Sequence, residues 1–213
     1  MEGELKNVPV RSYMDDPNIK WRHGKPDYTV VNTKFLKEKS QNHKTGSIEK
    51  LVEDLVKSWE MESTHKVDLK DWQTVTKDGS FYLQVNGHTK YTADDNVLLG
   101  NYGMMLVDSP FFDVTKETHD SSHKLFKEAF TEGFAWEVLE VLSGPPKVSF
   151  TWRHWATWSG PYRGQKPTGE NIEMFGSCVS EVTSDLKIKN IQIFFDPTPM
   201  MFKLTGAKCP FSS

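Results

Sequence analysis

The hydrophobic pattern of the C-terminal half changes from a helical period to a period of two. The apolar positions of the helix recur three or four residues apart, at Leu125, Phe126, Ala129 and Phe130. Gly133 provides a stop for this helix. The alternating strands that follow are predicted over residues 134–141, 148–158, 171–182 and 188–196. Because short connections join antiparallel neighbours, these strands form a meander.

Two amphipathic helices are predicted in the N-terminal half. The first follows Ser47, a residue type favoured at N-caps, and its apolar face runs from Ile48 to Trp59. The second follows Thr92, because Thr92 to Asp95 has the spacing of a capping box. Between them the chain alternates strand-like and loop segments, with a turn at Asn86-Gly87.

The remaining segments set the domain organisation. Residues 1–44 contain three prolines and many charges, so we expect an arm with at most a short helix that packs on the domain through its aromatic residues. Residues 45–205 form one α+β domain, and 206–213 form a tail. A length of 213 residues suits one domain with a substantial core.

Composition narrows the possible partners and compartments. A net charge of −3 and a pI near 6.2 argue against a nucleic-acid partner, which requires clustered positive charge. No apolar run reaches the length of a transmembrane segment or a secretion signal, so we expect a cytoplasmic protein. Cys178 and Cys209 are then expected to be reduced thiols.

Sequence motifs connect the chain to a known family. The segment "FAWEVLEVLSGPPKVSFTWRHWATWSGPYRGQKPTGENIEMFGSCVSEV", followed by "KIKNIQIFFD", resembles the SnoaL-like branch of the nuclear-transport-factor-two superfamily. The shared features are a loop of the form G-P-x-x-G-x-x-P-T-G and an acid that closes the last strand. Upstream, "IKWRHGKPDYTVVNTKF" and "LVKSWEMESTHKV" resemble the plant pathogen-related proteins of that branch.

The resemblance implies a fold and a site. The fold is α+β and cone-shaped, with a strongly bent antiparallel sheet wrapped around helices and enclosing a pocket at the wide end. Members often form homodimers through the sheet. In SnoaL-type cyclases a pocket carboxylate acts as acid and base, and the matching position here is Asp196.

Three residues are candidates for proton transfer. Asp196 at an apolar mouth would be desolvated and able to hold a proton, whereas Asp before Pro is also an ordinary turn. His65 lies at the end of the first helix, where it would face the cavity or interact with the helix terminus. His154 shares a strand face with aromatic residues, where it would face the cavity. The alternative is a core histidine whose ring is hydrogen-bonded.

Aromatic side chains are dense around these candidates. The residues predicted to contact a ligand are Trp59, Trp136, Phe150, Trp152, Trp158 and Phe194. The alternatives are a plain core or a dimer surface. Because Trp152 and Trp155 have opposite parity, they point to opposite faces of a regular strand.

Neither a metal nor a cofactor is predicted. His119 and His123 have i,i+4 spacing, but the sequence near them lacks the other ligands of a zinc site. The glycines of the 159–169 loop do not form a phosphate-binding motif, which requires a strand before it and a helix after it.

Three functional hypotheses follow. The first is a protein that binds a hydrophobic metabolite in an aromatic pocket and assists plant specialised or defence metabolism as an accessory to a biosynthetic enzyme. The second is a cofactor-independent cyclase or isomerase that uses Asp196 with His65 or His154. The third is a protein–protein adaptor that works through the sheet face.

Overall fold

A computed structural model describes residues 8–107 and 109–207. Within these residues the α-helices are α1 (Thr29–Glu38), α2 (Ile48–His65), α3 (Ala93–Met105), α4 (His119–Ala129) and α5 (Thr198–Thr205). The strands are β1 (Tyr82–Val85), β2 (Lys90–Tyr91), β3 (Ala135–Ser143), β4 (Lys147–Thr157), β5 (Asn171–Val182) and β6 (Ile188–Phe195). Short 3-10 helices lie at Leu69–Asp71 and Val114–Lys116. Cys209 and the tail beyond residue 207 lie outside the described residues.

One sheet with the strand order β2-β1-β6-β5-β4-β3 forms the scaffold. Strands β3 to β6 are the predicted antiparallel meander, and the α+β class is confirmed. The structure adds one feature: β1 pairs in parallel with β6, so that Tyr82 lies beside Asn190. No local sequence pattern predicts this pair, because more than a hundred residues separate its two strands.

The inner face of the sheet and four helices share one apolar core, to which α5 contributes Met200, Met201 and Leu204. Residues from β4, β5 and β6 pack there, among them Val148, Phe150, Trp152, Ala156, Ile172, Met174, Cys178, Ile191 and Ile193. The helices add Trp59 from α2, Met104 from α3 and Phe126 from α4. Two register shifts in the β3–β4 pair, between Val138 and Glu140 and between Val141 and Ser143, interrupt the regular ladder of this edge strand.

Both predicted helix starts are confirmed. The Ser47 side chain accepts a hydrogen bond from the backbone N–H of Lys50, and Thr92 forms a reciprocal capping box with Asp95. Helix α3 is kinked at Gly100, which has φ 69° and ψ 169°. A Cβ at that position would lie 3.0 Å from the His119 ring, so the glycine permits both the backbone conformation and the close contact with α4.

The outer face of the sheet is partly covered by the N-terminal arm. Helix α1 places Phe35 against Ala135 and Trp155, and the Trp155 indole N–H donates a 2.8 Å hydrogen bond to Glu38. Trp155 therefore lies on the face opposite Trp152, as its parity predicts. The arm also contacts α2, since the backbone N–H of Val10 donates to Asp54 over 2.9 Å.

None of the helices within 8–107 and 109–207 combines the length and the apolar composition of a membrane span.

Candidate functional site

Three polar side chains from three different elements face the interior between the sheet and the helices. They are Glu60 of α2, Tyr102 of α3 and His154 of β4, and each is only half-buried by surface area. Burial nevertheless raises the pKa values of Glu60 and Tyr102 and lowers the pKa of His154 to about 3. We call the region around these three residues the interior recess.

The polar groups of the interior recess retain hydrogen-bonding capacity. One carboxyl oxygen of Glu60 accepts a bond from the Thr64 hydroxyl over 3.2 Å. Among the described residues, no protein group hydrogen-bonds the Tyr102 hydroxyl or the ring nitrogens of His154. Because interior polar groups are normally paired, these atoms are available to water or to a ligand.

The charges of the interior recess influence one another. The negative charge of Glu60 raises the pKa of Tyr102 beyond the effect of burial, which is the larger cause. The positive charge of Lys57 lowers the pKa of His154, again after burial. Arg11 of the N-terminal arm and Lys57 oppose the rise in the pKa of Glu60 that burial causes. The arm therefore contributes to the electrostatics of the recess.

Aromatic rings surround these polar groups. The His154 ring lies 4.7 Å from Phe134 and 6.3 Å from Trp152, between ring centroids. Trp152 fits because Gly176 faces it across β5, where a Cβ would lie 2.3 Å from the indole. Trp136 packs edge-on against Phe150 at 6.2 Å, and Tyr102 stacks on Phe126 at 4.2 Å.

The other two predicted tryptophans lie in the same core. Trp59 is 3% exposed, and its indole N–H has no partner within the part of the chain that the structure describes. Trp158 is equally buried, and its indole N–H donates a 2.8 Å bond to the carbonyl of Gly160. The hydrogen bond holds the Trp158 ring in place. The indole N–H of Trp59 is a donor without a partner among the described residues.

A cleft of about 300 Å³ lies beyond the end of β6. Its lining residues are Val85, Asn86, Met105, Ser109, Pro110, Phe195, Asp196, Pro197 and Thr198. Phe195 also packs against Trp152 at 5.8 Å, so the cleft shares a wall with the aromatic surround of the recess. Its volume is at the lower limit for a small-molecule pocket.

The structure places Asp196 at the exposed rim of this cleft. Its carboxylate accepts a 2.8 Å hydrogen bond from the backbone N–H of Thr198, where the chain turns into α5. Asp196 thus has the turn geometry that is common for an Asp before Pro, which is the alternative to a role in proton transfer. Its role as acid and base stays a prediction.

Phe194 is not positioned as the sequence analysis expected. It lies on the outer face, 40% exposed and opposite Ser177, while its neighbours Ile193 and Phe195 point inward. The pleat explains the difference, because successive side chains of a strand alternate between the two faces. The residue of β6 that adjoins the aromatic surround is Phe195.

His65 belongs to a separate group of histidines under the N-terminal arm. Its ring lies 5.5 Å from His123 and 6.1 Å from Tyr28, and His123 stacks on His23 at 5.1 Å. Burial and then the charge of His123 lower the pKa of His65 to about 3. No contact joins His65 to His154 or Asp196 among the described residues, and no group of His, Cys, Asp and Glu there has the arrangement of a metal site.

Sequence reasoning missed Glu60, Tyr102 and Lys57. Lys57 and Glu60 lie beside the apolar stripe of α2, where charged residues normally mark the solvated side of a helix. A sequence signal exists for Tyr102, which continues the apolar periodicity of α3, but that signal predicts a core residue. Only the packing of the arm and β3 around α2 distinguishes these positions.

Comparison with known proteins identifies relatives of the chain. No protein-family model matches it. A pathogen-related protein of Hordeum vulgare is 35% identical over 184 residues, which is 83% of this chain and 78% of that protein.

Solved structures show weaker likenesses. A protein of Jannaschia sp. CCS1 described as a SnoaL-like polyketide cyclase is 14% identical with a TM-score of 0.42, covering 79% of this chain and 100% of that one. A protein of Acidithiobacillus ferrooxidans described as a polyketide cyclase is 13% identical with a TM-score of 0.46, covering 78% and 100%. Similarity at this level transfers no chemistry.

Proposed function

Since this chain belongs to the family of the pathogen-related protein of Hordeum vulgare, we propose that it binds a largely apolar small molecule in the interior recess. The observation that carries the proposal is the set of free hydrogen-bonding groups on Glu60, Tyr102 and His154 within an aromatic surround. Pockets for small molecules have this composition, with apolar walls and a few convergent polar groups. A ligand with one or two oxygen functions on an apolar frame would satisfy both features.

The biological role that we propose is assistance to plant specialised or defence metabolism, as a binding accessory to a biosynthetic enzyme. The name of the Hordeum vulgare relative supports this direction. A carrier needs affinity and orientation without a matched acid and base. The recess offers hydrogen-bonding groups, while the exposed carboxylate of Asp196 is engaged with a backbone N–H.

The test uses the purified protein incubated with a metabolite extract of a plant, followed by native mass spectrometry of the recovered complex. Glu60→Gln and Tyr102→Phe remove polar groups at nearly constant volume, and we expect each to lower retention of the bound molecule at least about tenfold, as expected when a hydrogen bond in a desolvated site is lost. Glu140→Gln, at an exposed position of β3, is the matched control. Equal retention by the control and both recess variants would place the ligand elsewhere.

A second candidate is a cofactor-independent cyclase or isomerase, favoured by the position of Asp196 at the rim of the 300 Å³ cleft. In this reaction Asp196 moves a proton at an activated carbon while His154 interacts with a substrate oxygen. Asp196→Asn removes the base at constant volume, so turnover of the retained molecule should collapse while binding persists. Undiminished turnover by that variant would end the enzyme hypothesis.

The outer face of the sheet is proposed as a homodimer surface. Phe175, Val179 and Phe194 are 56%, 38% and 40% exposed on neighbouring strands, and α1 leaves them uncovered. Exposed apolar groups gathered on one face are typical of interaction sites. Phe194→Ser should shift the sedimentation of a dimer toward the monomer, whereas Leu98→Ser, exposed on α3, serves as the control. A wild-type protein that is a monomer in solution would refute the homodimer proposal, and the adaptor hypothesis would then remain for this face.

A further inference from the structure

A series of hydrogen bonds joins α3 to the Glu60 carboxyl group of the interior recess. The side-chain amide of Asn101 donates 3.0 Å hydrogen bonds to the hydroxyl oxygens of Ser63 and Thr64 on α2. The Thr64 hydroxyl donates in turn to the Oε1 atom of Glu60 over 3.2 Å. Because Asn101 directly precedes Tyr102, these bonds connect the two helices that supply Glu60 and Tyr102 to the recess.

The kink of α3 determines how Asn101 is oriented. Side chains three or four residues apart are neighbours on a regular helix, whereas Asn96 and Asn101 are five residues apart. The non-helical conformation of Gly100 between them lets the Nδ2 atom of Asn96 donate a 2.7 Å hydrogen bond to the Oδ1 atom of Asn101. Asn96 is 1% exposed, so this bond lies inside the protein. It directs the side-chain oxygen of Asn101 toward Asn96 and the amino group toward α2.

The directions of these hydrogen bonds are linked, because a hydroxyl group has only one hydrogen atom to donate. Ser63 donates its hydrogen to the backbone carbonyl of Glu60 over 3.1 Å and accepts from Asn101. Thr64 also accepts from Asn101 and directs its hydrogen to the Oε1 atom of Glu60. Oε1 is therefore an acceptor, and no protein group among the described residues bonds the second carboxyl oxygen, Oε2.

We propose that Asn101 is a positioning residue that acts through Thr64 and reserves the Oε2 atom of Glu60 for the polar group of the bound molecule. This inference rests on the proposed binding function and adds a residue that orients the site without contacting the bound molecule. Without the Asn101 amide, the Thr64 hydroxyl is free to turn to the backbone carbonyl four residues before it, which is a common bond for Thr within a helix. Glu60 then loses its donor, and its carboxyl group rotates about a terminal torsion that has only a broad preference.

The test follows the Glu60 carboxyl group directly, by carbon-13 NMR of protein labelled at glutamate and titrated with pH. Glu60→Gln identifies the signal, which is absent from that variant. Burial raises the pKa of Glu60, whereas the charge of Arg11 and the hydrogen bond from Thr64 lower it, because a donor favours the ionised carboxylate. We therefore expect Thr64→Val to raise the midpoint of the Glu60 titration. Asn101→Leu should raise it in the same direction and by no more.

A double-mutant cycle tests whether Asn101 acts through Thr64. In the Thr64→Val background, Asn101→Leu should leave the Glu60 midpoint unchanged, because the connecting hydroxyl is already absent. Thr64→Ser keeps the hydroxyl and should titrate as the wild type does. Ser63→Ala is the matched control, since Ser63 also accepts from Asn101 but does not bond the Glu60 carboxyl group.

Three outcomes of the titration would overturn the inference. The first is an equal rise from Asn101→Leu in both backgrounds, which would mean that Asn101 does not act through Thr64. The second is a fall of the midpoint in Asn101→Leu, which would mean that the amide accepts from Thr64 instead of donating to it. The third is an unchanged midpoint in Thr64→Val, which decides the question even where Asn101→Leu does not fold.

Retention of metabolites from the plant extract separates this inference from the binding proposal. At pH 7 we expect Asn101→Leu to lower retention about threefold or more, as for a weakened hydrogen bond, while Ser63→Ala retains the wild-type amount. Wild-type retention by Asn101→Leu with an unchanged Glu60 midpoint would refute the positioning role and preserve the binding proposal. A wild-type protein that retains no metabolite would refute the binding proposal and with it the role of Oε2, even where the titrations shift as expected.

Discussion

The histidines under the N-terminal arm predict how stability depends on pH. Burial is the main cause that lowers the pKa of His65 to about 3 and that of His123 to about 4, and neighbouring positive charges add to it. In the unfolded chain both imidazoles regain a pKa near 6.5. Between pH 6.5 and 4 the unfolded chain therefore binds more protons, so the free energy of unfolding falls as the pH is lowered through this window.

The magnitude follows from the same values. At pH 5 an imidazole with a pKa of about 6.5 is almost fully protonated in the unfolded chain, while His65 in the folded protein is almost fully neutral. The resulting loss between pH 7 and pH 5 is about 2 kcal/mol for each such histidine. Carboxylates contribute to acid unfolding as well, so the prediction concerns the difference between a variant and the wild type.

Urea unfolding at pH 7, 6 and 5 tests this reasoning in the wild type, His65→Gln and His123→Gln. Each variant lacks one titrating group, so its loss of unfolding free energy from pH 7 to pH 5 should be smaller by about 2 kcal/mol. His88→Gln, exposed after the β1–β2 turn, should retain the wild-type loss. A wild-type pH dependence in His65→Gln and His123→Gln would show that the folded protein accommodates the charged imidazoles, contrary to the burial argument.

Three further substitutions test the packing and polar contacts that support the site. Gly176→Ala would place a Cβ 2.3 Å from the Trp152 ring and should cost about 1–3 kcal/mol of unfolding free energy, measured by urea, with weaker ligand retention. Glu62→Gln leaves the buried Lys66 ammonium without its carboxylate and should cost about 3–5 kcal/mol by the same measurement. Ser47→Ala removes the N-cap of α2 and should cost about 1 kcal/mol, and a thermal midpoint equal to that of the wild type would contradict the cap.

Local chemistry explains which parts of the fold could be predicted. The caps at Ser47 and Thr92 and the strand at Asn171–Val182 depend on neighbours within a few residues, and the structure has them as predicted. The pairing of β1 with β6 depends on contacts across the whole domain and left no local signal. Phe194 is a third case. The strand that contains it was predicted correctly, but the face to which its side chain points was not, because a shift of one position reverses the direction of a side chain.

The site was harder to predict than the sheet because one of its polar groups, Glu60, lies on a face of α2 that other parts of the chain cover. Glu53, Lys57, Glu60 and Thr64 recur at helical spacing along α2, a pattern that normally indicates a solvated face. In the folded protein this stripe is enclosed instead. The arm brings the Arg11 guanidinium over the Tyr28 ring at 3.5 Å, and the backbone of β3 approaches Glu53.

Enclosure changes what those charges can do. A lysine or glutamate in water keeps its ordinary pKa, whereas Lys57 and Glu60 are shifted in opposite directions by the same loss of hydration. Both shifts depend on how closely the arm and the edge strand β3 pack against α2, and Arg11 of the arm influences both groups. The meander that identifies the fold contributes His154 to the recess, and the ligand binding that we propose there also depends on Glu60 and Tyr102 from the N-terminal half of the chain.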